Sequence, residues 1–123
     1  MKAITLVFLG GGIGSALRYS IGKYLNPENT GFPWGTFTAN LVGSLLIGLI
    51  FGWVLHKVKL SSDLMLFLVA GFCGGFTTFS AFAYESLNLL RSGYTGLFLG
   101  YAFGSLILGL TCVWLGYSLI KAI

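Results

Sequence analysis

Residues 71–82 read GFCGGFTTFSAF, and this stretch decides how the rest of the chain is interpreted. It lies inside a long apolar segment, about where the midplane of a lipid bilayer would fall. Paired glycines lower helix propensity by roughly 1 kcal/mol each relative to alanine, and threonines bond backbone carbonyls and bend the chain. Irregular backbone survives at that depth only where it is buried in protein or lines a wet cavity. The stretch therefore predicts a helix broken near the membrane midplane, beside a site that something polar uses.

The composition around this stretch is that of an integral membrane protein. Of the 123 residues, 56% are hydrophobic and only 8% are charged, whereas soluble domains carry about 25% charged residues. Four apolar segments, at residues 3–24, 34–55, 64–90 and 94–120, are each long enough to cross a hydrocarbon core of about 30 Å. We therefore predict an all-α membrane protein with four transmembrane helices in a single domain, residues 1–123. Its surroundings are the lipid bilayer, and we expect no nucleic-acid partner.

The basic residues give a weak signal for orientation. The orientation of a membrane protein follows the excess of Lys and Arg in the short loops on one side. Here one side has four such residues and the other has three, and an excess of one hardly selects a direction. Either a span end is misplaced by a few residues, or the chain inserts both ways, and two opposite copies then pair as an antiparallel homodimer. With a cytoplasmic N-terminus, that side holds Lys2, Lys57, Lys59 and Lys121, and the other holds Arg18, Lys23 and Arg91.

Small residues recur at four-residue spacing in every span, as in the pair Gly10 and Gly14. Small residues allow transmembrane backbones to approach closely, so the pattern predicts a tight bundle and says nothing about a substrate. Four thin helices leave little room for a central pathway. The small bundle therefore favours an oligomer.

Polar side chains form candidate tracks in two spans. Asn40 stands in the second span, with Ser44 one turn later on the same face. An asparagine there is either an interhelical hydrogen bond worth about 1 kcal/mol or a ligand that lines a pathway. Tyr101 and Ser105 are four residues apart in the fourth span and add two hydroxyl donors. Interhelical hydrogen bonding would explain this second pair equally well.

Two aromatic residues, Phe79 and Phe82, share a helical face just after the predicted break. They are either ordinary core or lipid contacts, or rings that face an ion, since the ring edge is positive and attracts an anion. Neutral donors held rigidly suit an anion stripped of water. A buried Lys or Arg would bind the anion too tightly for fast exit, and conduction needs weak binding at several sites. The net charge of the chain is +4. Arg18, late in the first span, would snorkel or stand in a vestibule.

Two motifs together resemble those of the Fluc family of fluoride channels, also called CrcB proteins. One is GTFTANLVGS at residues 35–44, and the other is the stretch at residues 71–82. The resemblance covers the whole chain, including its length, its four spans, Arg18 in the first span and the Pro-Trp-Gly-Thr sequence that opens the second.

The resemblance implies an antiparallel, dual-topology homodimer in the plasma (inner) membrane. Two parallel pores would export cytoplasmic fluoride by passive electrodiffusion and so reduce its toxicity. In this interpretation Arg18 belongs to the vestibule, and Phe79 and Phe82 form an aromatic box that fluoride passes edge-on. The implied pore residues are Asn40, Ser44, Phe79, Phe82, Tyr101 and Ser105.

The resemblance also implies a structural, non-transported Na⁺ at the centre of the dimer interface. We place its ligands at the backbone carbonyls of Gly74 and Thr77 in both subunits, since carbonyls freed by an unwound helix suit a hard cation. One position departs from the family pattern. The family often continues the hydroxyl track one turn beyond Ser105, where this chain has Gly109.

Two other functions fit part of the sequence. A small multidrug-type proton antiporter shares the four spans but needs a membrane-embedded carboxylate, typically in the first span, and this first span contains Arg18 and no acid. A non-transporting assembly subunit would explain the glycine pattern but leaves the break, Asn40 and the paired phenylalanines unexplained. An enzyme is not expected, because these residues supply no nucleophile–base pair or metal-ligand cluster.

Overall fold

A computed structural model describes residues 1–26 and 31–123. Within these ranges all regular structure is helical, and four helical runs are long and apolar enough to cross a membrane. The prediction of an all-helical chain with four such helices is therefore confirmed. Residues 27–30, in the loop predicted between the first two spans, lie outside the described residues. The runs are Lys2–Leu25, Trp34–His56, Ser62–Arg91 and Thr95–Ala122.

The first two runs are single α-helices, α1 (Lys2–Leu25) and α2 (Trp34–His56). Asn26, just after α1, accepts a hydrogen bond from the backbone N–H of Gly35 at 2.8 Å through its side-chain oxygen. The first turn of a helix leaves backbone N–H groups without an internal partner. Asn26 therefore satisfies one of these donors and fastens the end of α1 to the start of α2.

The third run consists of several different pieces. It begins with α3 (Ser62–Met65), continues as a π-helix over Leu66–Cys73, and then forms the short α4 (Gly74–Phe76) and the longer α5 (Phe79–Arg91). π-Helices are rare and usually appear as a single turn near functional sites. No sequence pattern described above predicts this eight-residue π-helix.

Thr77 and Thr78 separate α4 from α5 and stand at the middle of the 30-residue run. Both have extended backbone, with φ −87° and ψ 158° at Thr77 and φ −153° and ψ 124° at Thr78. The Thr78 hydroxyl accepts a hydrogen bond from the Ala81 N–H at 3.2 Å and so caps α5. We refer to Thr77 and Thr78 as the break.

The last helix, α6 (Thr95–Ala122), packs along α2, while α1 packs along the π-helix and α4. Glycines bring these backbones into contact. A Cβ atom built on Gly14 would lie 2.2 Å from the Phe72 carbonyl oxygen, and one on Gly48 would lie 2.2 Å from that of Val113. No real side chain fits at such distances, so the close approach of both helix pairs depends on glycine.

Contacts at one end of the bundle show how the helices are arranged. Lys2 forms an ion pair with Asp63, which joins the starts of α1 and α3. His56 Nε2 lies 2.9 Å from the Tyr117 hydroxyl, which joins the ends of α2 and α6. The helices therefore alternate in direction, and Lys2, Lys57, Lys59 and Lys121 lie at the same end of the bundle.

Candidate functional site

A cavity of about 360 Å³ lies between α2, the break, α5 and α6. Five of the pore residues expected from the sequence line it, and Tyr101 does not. None of the ten lining residues in the described part of the chain is charged. The five are Asn40, Ser44, Phe79, Phe82 and Ser105; the break adds Thr77 and Thr78, and Ile47, Ala102 and Leu106 complete the lining.

Asn40 holds the break through both polar groups of its carboxamide. Its Oδ1 accepts from the Thr78 N–H at 2.8 Å, and its Nδ2 donates to the Thr78 carbonyl oxygen at 3.1 Å. An amide nitrogen carries two hydrogens, so one donor remains for the cavity that Asn40 lines. Interhelical hydrogen bonding and cavity lining were alternatives for Asn40 on sequence grounds. In the structure its side chain both bonds the break and lines the cavity.

The break changes the hydrogen bonding of the carbonyls before it. In a continuous α-helix the Thr78 N–H would bond the Gly74 carbonyl, and the Ala81 N–H would bond the Thr77 carbonyl. Here these two donors go to Asn40 Oδ1 at 2.8 Å and to Thr78 Oγ1 at 3.2 Å. The two carbonyls that the sequence analysis placed around a cation are thus released from their usual helical donors.

The described residues contain no group of three or more His, Cys, Asp or Glu side chains that could hold an ion. Backbone oxygens, such as those of Gly74 and Thr77, are ligands of the kind that hard cations prefer. The donor set at the break therefore fits Na⁺.

Arg18 contacts the segment before the break and stands outside the cavity lining. Its Nε donates to the Gly75 carbonyl oxygen at 3.1 Å, and the hydroxyl of Ser15 donates to the same oxygen at 3.3 Å. The last carbonyls of a helix carry partial negative charge, which a nearby cation stabilises. In this chain Arg18 and Ser15 thus tie α1 to the end of the helical segment before the break.

The two phenylalanines after the break differ in their surroundings. Their ring centroids are 5.7 Å apart, with an angle of 40° between the planes. Phe79 is 79% exposed in the isolated chain, whereas Phe82 is half-buried and lies 5.0 Å from the Tyr101 ring. Phe82 is therefore the ring that the chain itself holds in place.

Tyr101 is fully buried, and its hydroxyl is turned to an acid. The hydroxyl donates to Glu85 Oε2 at 2.8 Å, and Thr36 Oγ1 donates to Glu85 Oε1 at 2.7 Å. This three-residue network was not predicted. A lone acid inside an apolar span is costly and usually paired, and that rule would have identified Glu85 from the sequence.

Ser105 lines the cavity, and its hydroxyl oxygen is buried. Its Oγ has no hydrogen-bond partner among the described residues, and an unpaired buried polar group costs about 1–3 kcal/mol. In the isolated chain this oxygen is shielded from solvent although its residue borders the cavity. Beside the cavity, a Cβ atom on Gly109 would lie 3.7 Å from Ser44 Oγ, at ordinary contact distance.

Comparison with known proteins gives consistent matches over nearly the whole chain. Residues 5–117 match the model of the family described as CrcB-like protein, Camphor Resistance (CrcB). A Bacteroides fragilis protein named fluoride-specific ion channel FluC is 48% identical over 120 residues, with 94% of each chain covered. A protein of the same name from Thermus thermophilus is 49% identical over 120 residues, covering 97% of this chain and 95% of its own.

Proposed function

The chain belongs to the CrcB-like family, and we propose from this membership that it is a fluoride-selective ion channel. It is a multi-pass protein of the plasma membrane. The observation that carries the proposal is the 48% identity, over 94% of the chain, to a protein named as a fluoride-specific ion channel. Cytoplasmic fluoride leaves through it by passive electrodiffusion, without a chemical reaction.

The chemistry of the cavity supports an anionic substrate. Its lining includes Asn40, the hydroxyl-bearing Ser44 and Ser105, and the rings of Phe79 and Phe82. Ring edges are positive, and neutral donors replace the water around an anion without binding it too tightly to leave. Small charge-dense ions need such fixed partners more than large ones do, which favours fluoride over chloride.

The break adds a helix terminus to this environment. α5 begins at Phe79, and the residue that caps it, Thr78, lines the cavity. A helix N-terminus carries about half a positive elementary charge, and broken membrane helices present such ends to anionic substrates. We place the break near the membrane midplane because it divides the 30-residue run in half.

We also propose an antiparallel, dual-topology homodimer. The nearly equal basic charge at the two ends permits both orientations. The exposed ring of Phe79, at the cavity wall, and the exposed Gly74, before the break, are groups that a second copy would cover. The two pores of such a dimer would run side by side.

Cysteine labelling tests the orientation. Ser92, exposed at one end of the bundle, is changed to cysteine in a chain that also carries Cys73→Ala and Cys112→Ala. Ser62→Cys, exposed at the opposite end, is the matched variant. Dual insertion predicts that an impermeant maleimide labels a fraction of each cysteine from outside intact cells. Labelling of only one of the two variants would contradict it.

For the cation, we propose Na⁺ bound by the Gly74 and Thr77 carbonyls of both copies. Bound there, Na⁺ would join the two breaks as a structural ion. The Thr77 side chain is engaged elsewhere, since its hydroxyl donates to the Cys73 carbonyl oxygen at 2.9 Å. We therefore expect Thr77→Ala to retain most of the Na⁺ that co-purifies with the wild type, as measured by atomic emission after desalting. Absence of Na⁺ from the wild type would refute the assignment.

The function itself is tested in liposomes loaded with either fluoride or chloride. With a potassium ionophore to balance charge, the purified protein should release fluoride to an ion-selective electrode and leave chloride inside. A proton-coupled antiporter would instead move cations along a pH gradient, and an assembly subunit would move neither ion. Family membership favours the channel over both alternatives. Retention of fluoride in proteoliposomes would refute the proposal.

A further inference from the structure

Phe37 of α2 lies behind the cavity, in a cluster of rings that reaches Phe82. We infer that Phe37 is a positioning residue, which acts through Tyr101 to hold the Phe82 ring in the orientation that fluoride meets. The inference rests on the proposed function, because it concerns the same pathway. Phe37 itself does not line the cavity.

The first step is the fixed position of Tyr101. Its side chain is completely buried, and its hydroxyl is held by Glu85 at 2.8 Å. On one side its ring meets Phe82, with centroids 5.0 Å apart. It also meets Phe37 at 6.2 Å and Phe32 at 5.4 Å. Because the hydroxyl and the ring are both engaged, Tyr101 can move only if one of these neighbours moves.

The second step is that Phe37 is itself held in place. Its ring meets those of Phe32 and Trp34 nearly edge-on, at 5.3 Å and 79° and at 6.1 Å and 82°. On α6, a Cβ atom built on Gly104 would lie 3.6 Å from Phe37 Cε2. The ring of Phe37 therefore rests against the helix that carries Tyr101, at a position without a side chain.

The orientation of the Phe82 ring determines how it would interact with an anion in the cavity. The edge of an aromatic ring is positive and its face is negative, so a tilt of Phe82 would replace attraction of an anion by repulsion. Phe82 is supported by Tyr101, and Tyr101 by Phe37. Phe79 is 79% exposed in the single chain and lacks comparable support there. Shortening Phe37 should thus act on conduction through Phe82.

The test compares Phe37→Leu with a matched control in fluoride-loaded proteoliposomes. Phe51→Leu makes the same change on the same helix, at a residue that is 41% exposed and outside the cavity lining. We expect Phe37→Leu to reduce fluoride efflux by about tenfold, equal to 1.36 kcal/mol on the barrier, and Phe51→Leu to keep the wild-type rate. Phe37→Met keeps the bulk without the ring, and it replaces Phe37→Leu should the latter not fold.

A double-mutant cycle separates positioning from general packing. If Phe37 acts through Phe82, adding Phe37→Leu to Phe82→Ile should cause no further loss of fluoride efflux. Losses that multiply in the double variant, or wild-type efflux from folded Phe37→Leu and Phe37→Met, would overturn the inference alone. A wild type that releases no fluoride would overturn the proposed function and the inference with it.

Discussion

The carboxamide of Asn40 pairs with both backbone polar groups of Thr78, at 2.8 Å and 3.1 Å, although the two residues are 38 positions apart in the chain. Inside a helix the backbone N–H and carbonyl of a residue pair with the neighbouring turns. At the break a side chain of α2 supplies both partners instead. The same amide faces the cavity. One residue thus both holds the break and lines the cavity.

Asn40→Asp should reduce fluoride efflux by at least about tenfold. The carboxylate keeps an acceptor for the Thr78 N–H but places oxygen against the Thr78 carbonyl and removes the donor that faces the cavity. A lost hydrogen bond to a charged group costs about 1.5–3 kcal/mol, and 1.36 kcal/mol on a barrier is tenfold in rate. Efflux from proteoliposomes is the measurement. An unchanged rate in a folded variant would show that the amide is not part of the pathway.

Phe82→Ile should also slow fluoride efflux, by about tenfold, and leave the fold intact. Isoleucine keeps apolar bulk but has no positive ring edge. Phe103→Ile is the control, because Phe103 lies on α6, is 58% exposed and does not line the cavity. Equal efflux from both variants would show that Phe82 serves packing and not conduction. In that case the Phe82→Ile protein should unfold at a lower temperature than the wild type.

Gly14→Ala should destabilise the protein by about 1–3 kcal/mol, the usual cost of overpacking. The added methyl group would lie 2.2 Å from the backbone oxygen of Phe72, which cannot rotate away. Gly12, on the same helix, provides the control, because a methyl group added there would meet nothing within 4 Å. Thermal unfolding in detergent should separate the two variants clearly. A Gly14→Ala protein as stable as Gly12→Ala would mean that α1 and the π-helix are not in backbone contact.

Gly109→Ser should be accepted without loss of stability. A Cβ atom there lies at an ordinary 3.7 Å from Ser44 Oγ, so the new hydroxyl would extend the polar track of α6. We expect fluoride efflux at least equal to that of the wild type, with chloride still retained. Gly48→Ser, whose Cβ would lie 2.2 Å from the Val113 carbonyl oxygen, is the contrasting variant and should not fold normally. Slower fluoride efflux from Gly109→Ser would show that the row of hydroxyl groups on α6 does not continue through position 109.

Much of this arrangement could be predicted from local sequence. The four helices follow from apolar length, and the cavity residues Asn40, Phe79 and Ser105 stand out as polar or aromatic groups at helical spacing. Two other features depend on tertiary contact, and no local pattern names the residues that meet there. The Thr36–Glu85 hydrogen bond joins residues 49 positions apart, and the π-helix lies where α1 presents glycine to its backbone. Hydropathy and helix propensity are properties of consecutive residues, so they do not indicate contacts between different helices.

The pairing of Asn40 with Thr78 also orders events during biosynthesis. The chain is made from its N-terminus, so α2 is synthesised before the break. A backbone group left unpaired in hydrocarbon costs several kcal/mol, and the break would carry such groups if it entered lipid alone. Because Asn40 is synthesised first, the partner of the Thr78 N–H and carbonyl is already part of the chain when the third span is made.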